Sequence, residues 1–336
     1  MDRHDPGPVP IRKGLRMTAC PLRPVFIGAC PRSGTTFLGE RLGALLNGRV
    51  TPESQFKRDL LAAFAKGRTD KLQGILDKSF YYRLWTDRPD QAALDAAAAE
   101  GVEPYFARLV FTEGIDTHPT GIWVDHTPVN FSLFNILRDS FPLARFVHIV
   151  RDGRAVYASV QKLSWGPNNP VEGAWWWRAQ VSAGLAASQM FPDTCITVTY
   201  ERLASGDLAE WTRLMRFLRD DPDLTLTEAE INAQGNYDVP EFTRHQHSLV
   251  GAGIASVRTE AWKTELSGRE IEIFEANANS LLDPLGYERL YPHAKHASRR
   301  EKLAFGEWPV RIKAAPLRTL RSKLRRARVA SPGKAG

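Results

Sequence analysis

The 336-residue chain is 43% hydrophobic and 25% charged, with a formal net charge of +7, a balance typical of a globular protein with room for one large domain or two small ones. No apolar run approaches the roughly 18 residues of a membrane span, and the N-terminus lacks the apolar segment of a signal peptide. Cys20, Cys30 and Cys195 form neither a disulfide framework nor a metal spacing, so a reduced, cytoplasmic protein is expected.

The charge is uneven. Residues 291–336 hold 13 Lys/Arg against 2 Asp/Glu, which leaves the remainder of the chain at −4. The basic character belongs to the tail, and nucleic acid is not an expected partner of the whole protein. The chain divides into a Pro- and Arg-rich segment 1–23 expected to be disordered, a domain over 24–290, and a basic tail over 291–336. Within the tail, Leu317, Leu320 and Leu324 share a helical face among arginines and lysines over 310–329, a pattern suited to an anionic membrane surface.

Val25-Phe26-Ile27 reads as a buried strand. A polar loop bounded by Gly28 and Gly34 comes next, and then a helix over 35–47 with Leu38, Leu42, Leu45 and Leu46 at helical spacing. Strand, glycine loop and helix start together direct backbone N–H groups and the positive helix end at one point, an anion site. The loop lacks the Gly-Lys-Ser/Thr ending of a Walker A motif. Its fixed cation is Arg32, whose planar guanidinium can hold two oxygens of a tetrahedral anion, and Thr35 and Thr36 add hydroxyls.

Thr51-Pro52-Glu53-Ser54 ends this unit, and 55–120 is mostly helical, with an alanine-rich helix near 91–100. Strands are predicted at 121–125, 145–150 and 195–200. Helices are predicted at 130–140, after 151, and at 172–190, 207–219, 226–234 and 268–282. The Trp175-Trp176-Trp177 run is expected to cover the sheet. Strands alternating with helices imply an α/β fold, a mainly parallel sheet covered on both faces, with ligands at the strands' carboxyl ends. Each polar cluster singled out lies just after a strand.

Pro31-Arg32-Ser33-Gly34-Thr35-Thr36 resembles the 5′-phosphosulfate loop of sulfotransferases that use 3′-phosphoadenosine-5′-phosphosulfate (PAPS), in the version of tyrosylprotein sulfotransferases and their bacterial relatives. Arg151, with Ser159 eight residues later, resembles the same family's 3′-phosphate motif. The resemblance implies a P-loop-like three-layer α/β/α fold and sulfuryl transfer from PAPS to a hydroxyl or amine by in-line attack. It assigns the donor to Arg32, Ser33, Gly34, Thr35, Thr36, Arg151 and Ser159. No metal is expected, because arginines and N–H groups supply the positive charge.

Glu53, 21 residues after Arg32, stands at the family's offset for a catalytic glutamate. His126, in His126-Thr127-Pro128, takes the place of the usual lysine and is expected to be an auxiliary to Glu53. A carboxylate base normally titrates below a histidine. Tyr200, in Tyr200-Glu201-Arg202-Leu203, and Arg258 and Lys263, in a late segment ending Trp262-Lys263, resemble further donor ligands. The acceptor's class, whether small molecule, glycan, lipid or peptide, is not encoded in any readable motif. A small-molecule kinase with a P-loop and a non-catalytic nucleotide-binding protein are the competing readings. The absent Walker lysine and the Arg151–Ser159 pair weigh against the kinase.

Overall fold

The computed structural model describes residues 20–163, 165–233 and 259–305. Arg258, residues 1–19 and the 310–329 segment lie outside them. Five strands, β1 (Arg23–Ala29), β2 (Arg49–Thr51), β3 (Ile122–Asp125), β4 (Arg145–Val150) and β5 (Cys195–Thr199), form one sheet in the order β2-β3-β1-β4-β5. Every pairing is parallel, with Phe26 opposite Asp125, Gly28 opposite His148 and Val150 opposite Thr199.

Alternation along the strands explains the layers. Val25 and Ile27 of β1, with Val147 and Ile149 of β4, face one core, and Phe26 and Phe146 face another. The first core is closed by α1 (Thr35–Leu46) and the later helices α9 (Tyr200–Ala204), α10 (Leu208–Arg219) and α11 (Glu228–Asn232). The second is closed by α2 (Lys57–Ala65), α3 (Leu72–Lys78), α4 (Gln91–Glu100), α5 (Val102–Val110) and α6 (Phe134–Ser140). Burying the strands on both faces is why they read as continuous apolar runs.

A third cluster joins α7 (Gly153–Val160), α8 (Pro170–Met190), α12 (Trp262–Glu265) and α13 (Gly268–Leu282). Beyond residue 290 the chain still packs. Ala297 is buried against Val171 and Ile273, and Glu301 of α14 (Arg299–Ala304) bonds Arg269 at 2.8 Å.

Three expectations are corrected. Strand β2 went unpredicted because three residues carry no periodicity. The single helix over 130–140 is a 3-10 turn, Pro128–Leu133, and then α6. The turn is kept tight by Asn130, whose amide donates to Ile27 O at 2.8 Å and Asp125 O at 3.2 Å. The three tryptophans do not act together. Successive residues point about 100° apart on a helix, so Trp177 is buried while Trp175 is 63% exposed.

After β1 the chain moves out to β2 and back to β3, then crosses to β4. The direction reverses beside β1, and the crevice at such a reversal, at the carboxyl ends of β1 and β4, is where ligands bind.

Candidate active site

The loop after β1 has an unusual backbone. Arg32 has φ 77° and Gly34 φ 93°, both left-handed. Gly34 precedes α1 and no side chain caps that helix among the described residues, so the first-turn N–H groups open onto the loop. Arg32, a non-glycine residue in this region, carries strain on the order of 1–3 kcal/mol that neighbours must hold. Arg151 does so, because its Nη1 donates to Arg32 O at 2.8 Å. Arg32 Nε in turn donates to Ser159 Oγ at 3.1 Å. The two anion motifs, 119 and 127 residues apart in these bonds, form one site.

Arg151 is itself built in. Its guanidinium lies 4.4 Å from the Tyr200 ring centre, and Trp177 Nε1 donates to its carbonyl at 3.0 Å. Glu201 accepts from Asp152 N at 2.9 Å, which ties the strand end to α9. Arg154 is not available to a ligand. It is buried against Asp152 and Glu275 and lies over Trp262.

Burial, then the nearby Arg151 charge, lowers the Arg32 pKa, and Glu53 opposes the shift. Ser33 Oγ and Arg151 Nε are buried with no hydrogen-bond partner among the described residues. Two adjacent cations, two unsatisfied polar atoms and an open helix start fit a ligand with more than one anionic group.

Glu53 lies near enough to Arg32 for the two charges to act on each other. Part of its surface is open, yet it lies deep in the protein, and burial raises its pKa to about 7. Gln55 Nε2 donates to it at 2.9 Å and opposes the rise, the Asp125 charge adds to it, and Lys57 and Arg32 oppose it. His126 is 2% exposed, with its ring against Gly39 of α1. Burial pushes its pKa down to about 4 despite Asp125 nearby, so the ring is neutral at physiological pH. The usual order of carboxylate and histidine is therefore reversed here.

Tyr200 is buried beneath the loop. A Cβ at Gly34 would come within 2.5 Å of its ring. Its clear role is to floor the loop and Arg151. Lys263 is exposed at the start of α12 and pairs with Glu260. Among the described residues no His, Cys, Asp or Glu cluster has the form of a metal centre.

Sequence reasoning missed a buried network below Glu53. Lys57 and Asp125 are both 0% exposed and pair at 2.8 Å, with Ser54 and Thr127 bonded to the same carboxylate. Lys57 stands beside Arg58 and Asp59 at the start of α2, so nothing local marked it as buried.

The sulfotransferase-family model matches residues 24–221. No protein of curated function matches the chain. The sulfotransferase domain of the Synechococcus PCC 7002 olefin synthase is similar at 21% identity and TM-score 0.51, over 81% of this chain and 97% of that one. The sulfotransferase domain from the curacin biosynthetic pathway is similar at 18% identity and TM-score 0.51, over 81% and 99%. These two share the α/β fold. The family match runs from β1 through α10 and takes in both anion motifs and the Glu53 turn, so the chain belongs to the sulfotransferase family and is an enzyme of sulfuryl transfer.

Proposed function

We propose that the donor is PAPS, and that the acceptor is a hydroxyl group deprotonated by Glu53. The observation that carries this reading is the direct bonding of the two anion motifs, Arg151 to Arg32 O and Arg32 Nε to Ser159. It supports a donor with phosphate-type groups at both ends of one ribose. Arg151 and Ser159 are assigned the 3′-phosphate, and Arg32, Ser33 and the Gly34–Thr36 backbone the 5′-phosphosulfate.

In this reading Glu53 takes the acceptor proton as the acceptor oxygen bonds to sulfur. The bond from sulfur to the phosphate oxygen breaks, and Arg32 and the helix-start N–H groups hold the charge that appears there. Preorganised donors of this kind are worth about 10²–10³ each in rate. A base with a pKa near 7 is well matched to a neutral-pH transfer. The neutral His126 is a helper rather than the base.

Isothermal titration calorimetry in EDTA tests the donor. PAPS and its product 3′-phosphoadenosine-5′-phosphate should bind without divalent metal and more tightly than ATP with Mg²⁺. The reverse preference sinks the assignment. Glu53→Gln should lower kcat by about 10²–10⁴ with product binding retained.

A further inference from the structure

The turn that carries Glu53 hangs from a weak support. Strand β2 is three residues long and lies at the sheet edge, paired with β3. Such a strand offers few backbone bonds to anchor the turn at its end. Side chains from β3 and the residues after it supply the missing hold. Trp123 Nε1 donates to Thr51 Oγ1 at 2.9 Å, just before the turn. Ser54 N, just after Glu53, donates to Thr127 Oγ1 at 2.9 Å. Thr127 donates to Asp125 Oδ1 through both its N and its Oγ1. Asp125 Oδ2 accepts from Ser54 Oγ and from Lys57 Nζ, and Lys57 Nζ also donates to Ser54 Oγ at 3.0 Å.

We propose that Asp125, Lys57 and Thr127 are positioning residues that clamp the Pro52–Ser54 turn to the end of β3 and so fix the Glu53 carboxylate near Arg32. The proposal rests on the reading of Glu53 as the base. Asp125 accepts four hydrogen bonds, from three residues in two stretches of the chain. Buried ion pairs seldom add stability over apolar packing of the same volume, so this one is better understood by the geometry it fixes. The clamp also brings charge to Glu53. The charged groups that face it are Arg32 from the β1–α1 loop, Lys57 from α2 and Asp125 from β3, with the neutral Gln55 bonded to it. His126 lies beside Asp125 and Lys57 as a neutral ring.

The test tracks the Glu53 carboxyl carbon by NMR against pH in full-length protein labelled with ¹³C-glutamate, its signal assigned by its loss in Glu53→Gln. Lys57→Met and Asp125→Asn each cut the clamp. The freed turn lets water reach Glu53, and both midpoints should fall by about one pH unit toward the ordinary glutamate value. A role confined to local charge predicts otherwise: loss of the Lys57 cation would raise the midpoint and loss of the Asp125 anion would lower it. Opposite shifts of that kind, or midpoints unchanged in both variants, overturn the proposal.

Calorimetric binding of 3′-phosphoadenosine-5′-phosphate checks that the donor loop is intact in each variant. Should Lys57→Met or Asp125→Asn fail to fold, Thr127 decides. Thr127→Ser should keep the wild-type midpoint and Thr127→Ala should lose it. Thr127→Ala titrating like wild type overturns the clamp. If the midpoints move as stated while Glu53→Gln retains full turnover, the clamp stands and the base assignment falls.

Discussion

Arg32 Nε donates to Ser159 Oγ at 3.1 Å, a bond between the first loop of the sheet and the second turn of α7. With Arg151 on the Arg32 carbonyl, it sets a left-handed arginine in place from two directions. Arg151 holds the loop backbone, and in the proposed function it also offers its guanidinium to an anion.

Arg151→Ala should weaken 3′-phosphoadenosine-5′-phosphate by about 30- to several-thousand-fold, the range for truncating one partner of a buried charged pair. Adenosine 5′-phosphate should lose much less. Titration calorimetry with the two nucleotides measures the difference. Equal losses would mean that Arg151 serves the Arg32 backbone alone. Ser159→Ala, which removes a hydrogen bond to the charged Arg32 and the hydroxyl assigned to the 3′-phosphate, should cost about 1.5–3 kcal/mol in the same assay.

Gly34 is the position where the loop tolerates no side chain. At φ 93° any L residue is strained, and a Cβ would lie 2.5 Å from the Tyr200 ring. Gly34→Ala should displace Tyr200 from under Arg151 and destabilise the fold by on the order of 1–3 kcal/mol. It should also abolish donor binding. Chemical denaturation gives the first, calorimetry the second. Gly34→Ala with wild-type stability and affinity would show that the loop relaxes freely.

Glu53 makes stability depend on pH. Its folded pKa, about 7, lies above the unfolded value. The unfolded chain releases the proton first, so the fold loses stability as pH rises from the unfolded pKa to about 7, and the loss is complete above that. Glu53→Gln should be near neutral at pH 4 and stabilising at pH 8, by up to about 3 kcal/mol. Urea denaturation at the two pH values checks this. A stabilisation that is the same at both would remove the raised pKa as its cause. With Glu53 as the proposed base, the acid limb of catalysis should also lie near pH 7 in wild type, where free carboxylates have long been ionised.

Much of this protein was legible in its residues in order. The apolar run before Gly28, the Arg32–Thr36 loop and the Arg151…Ser159 spacing are local, and local backbone and helix-start chemistry reads from a string of a few residues. That was enough for the parallel α/β fold and the family. Folding alone decided what depends on residues distant in sequence. Glu53 and His126 exchange their usual order of proton affinity because burial acts on both, raising the acid and lowering the base, and burial is a property of the packed chain. Trp175 and Trp177 part ways on one helix because α8 has one face on the domain and one on solvent. Lys57, Asp125 and Thr127, up to 70 residues apart, become one network only when β3 is laid beside β2, because a hydrogen bond is set by distance in space and leaves no spacing in the sequence.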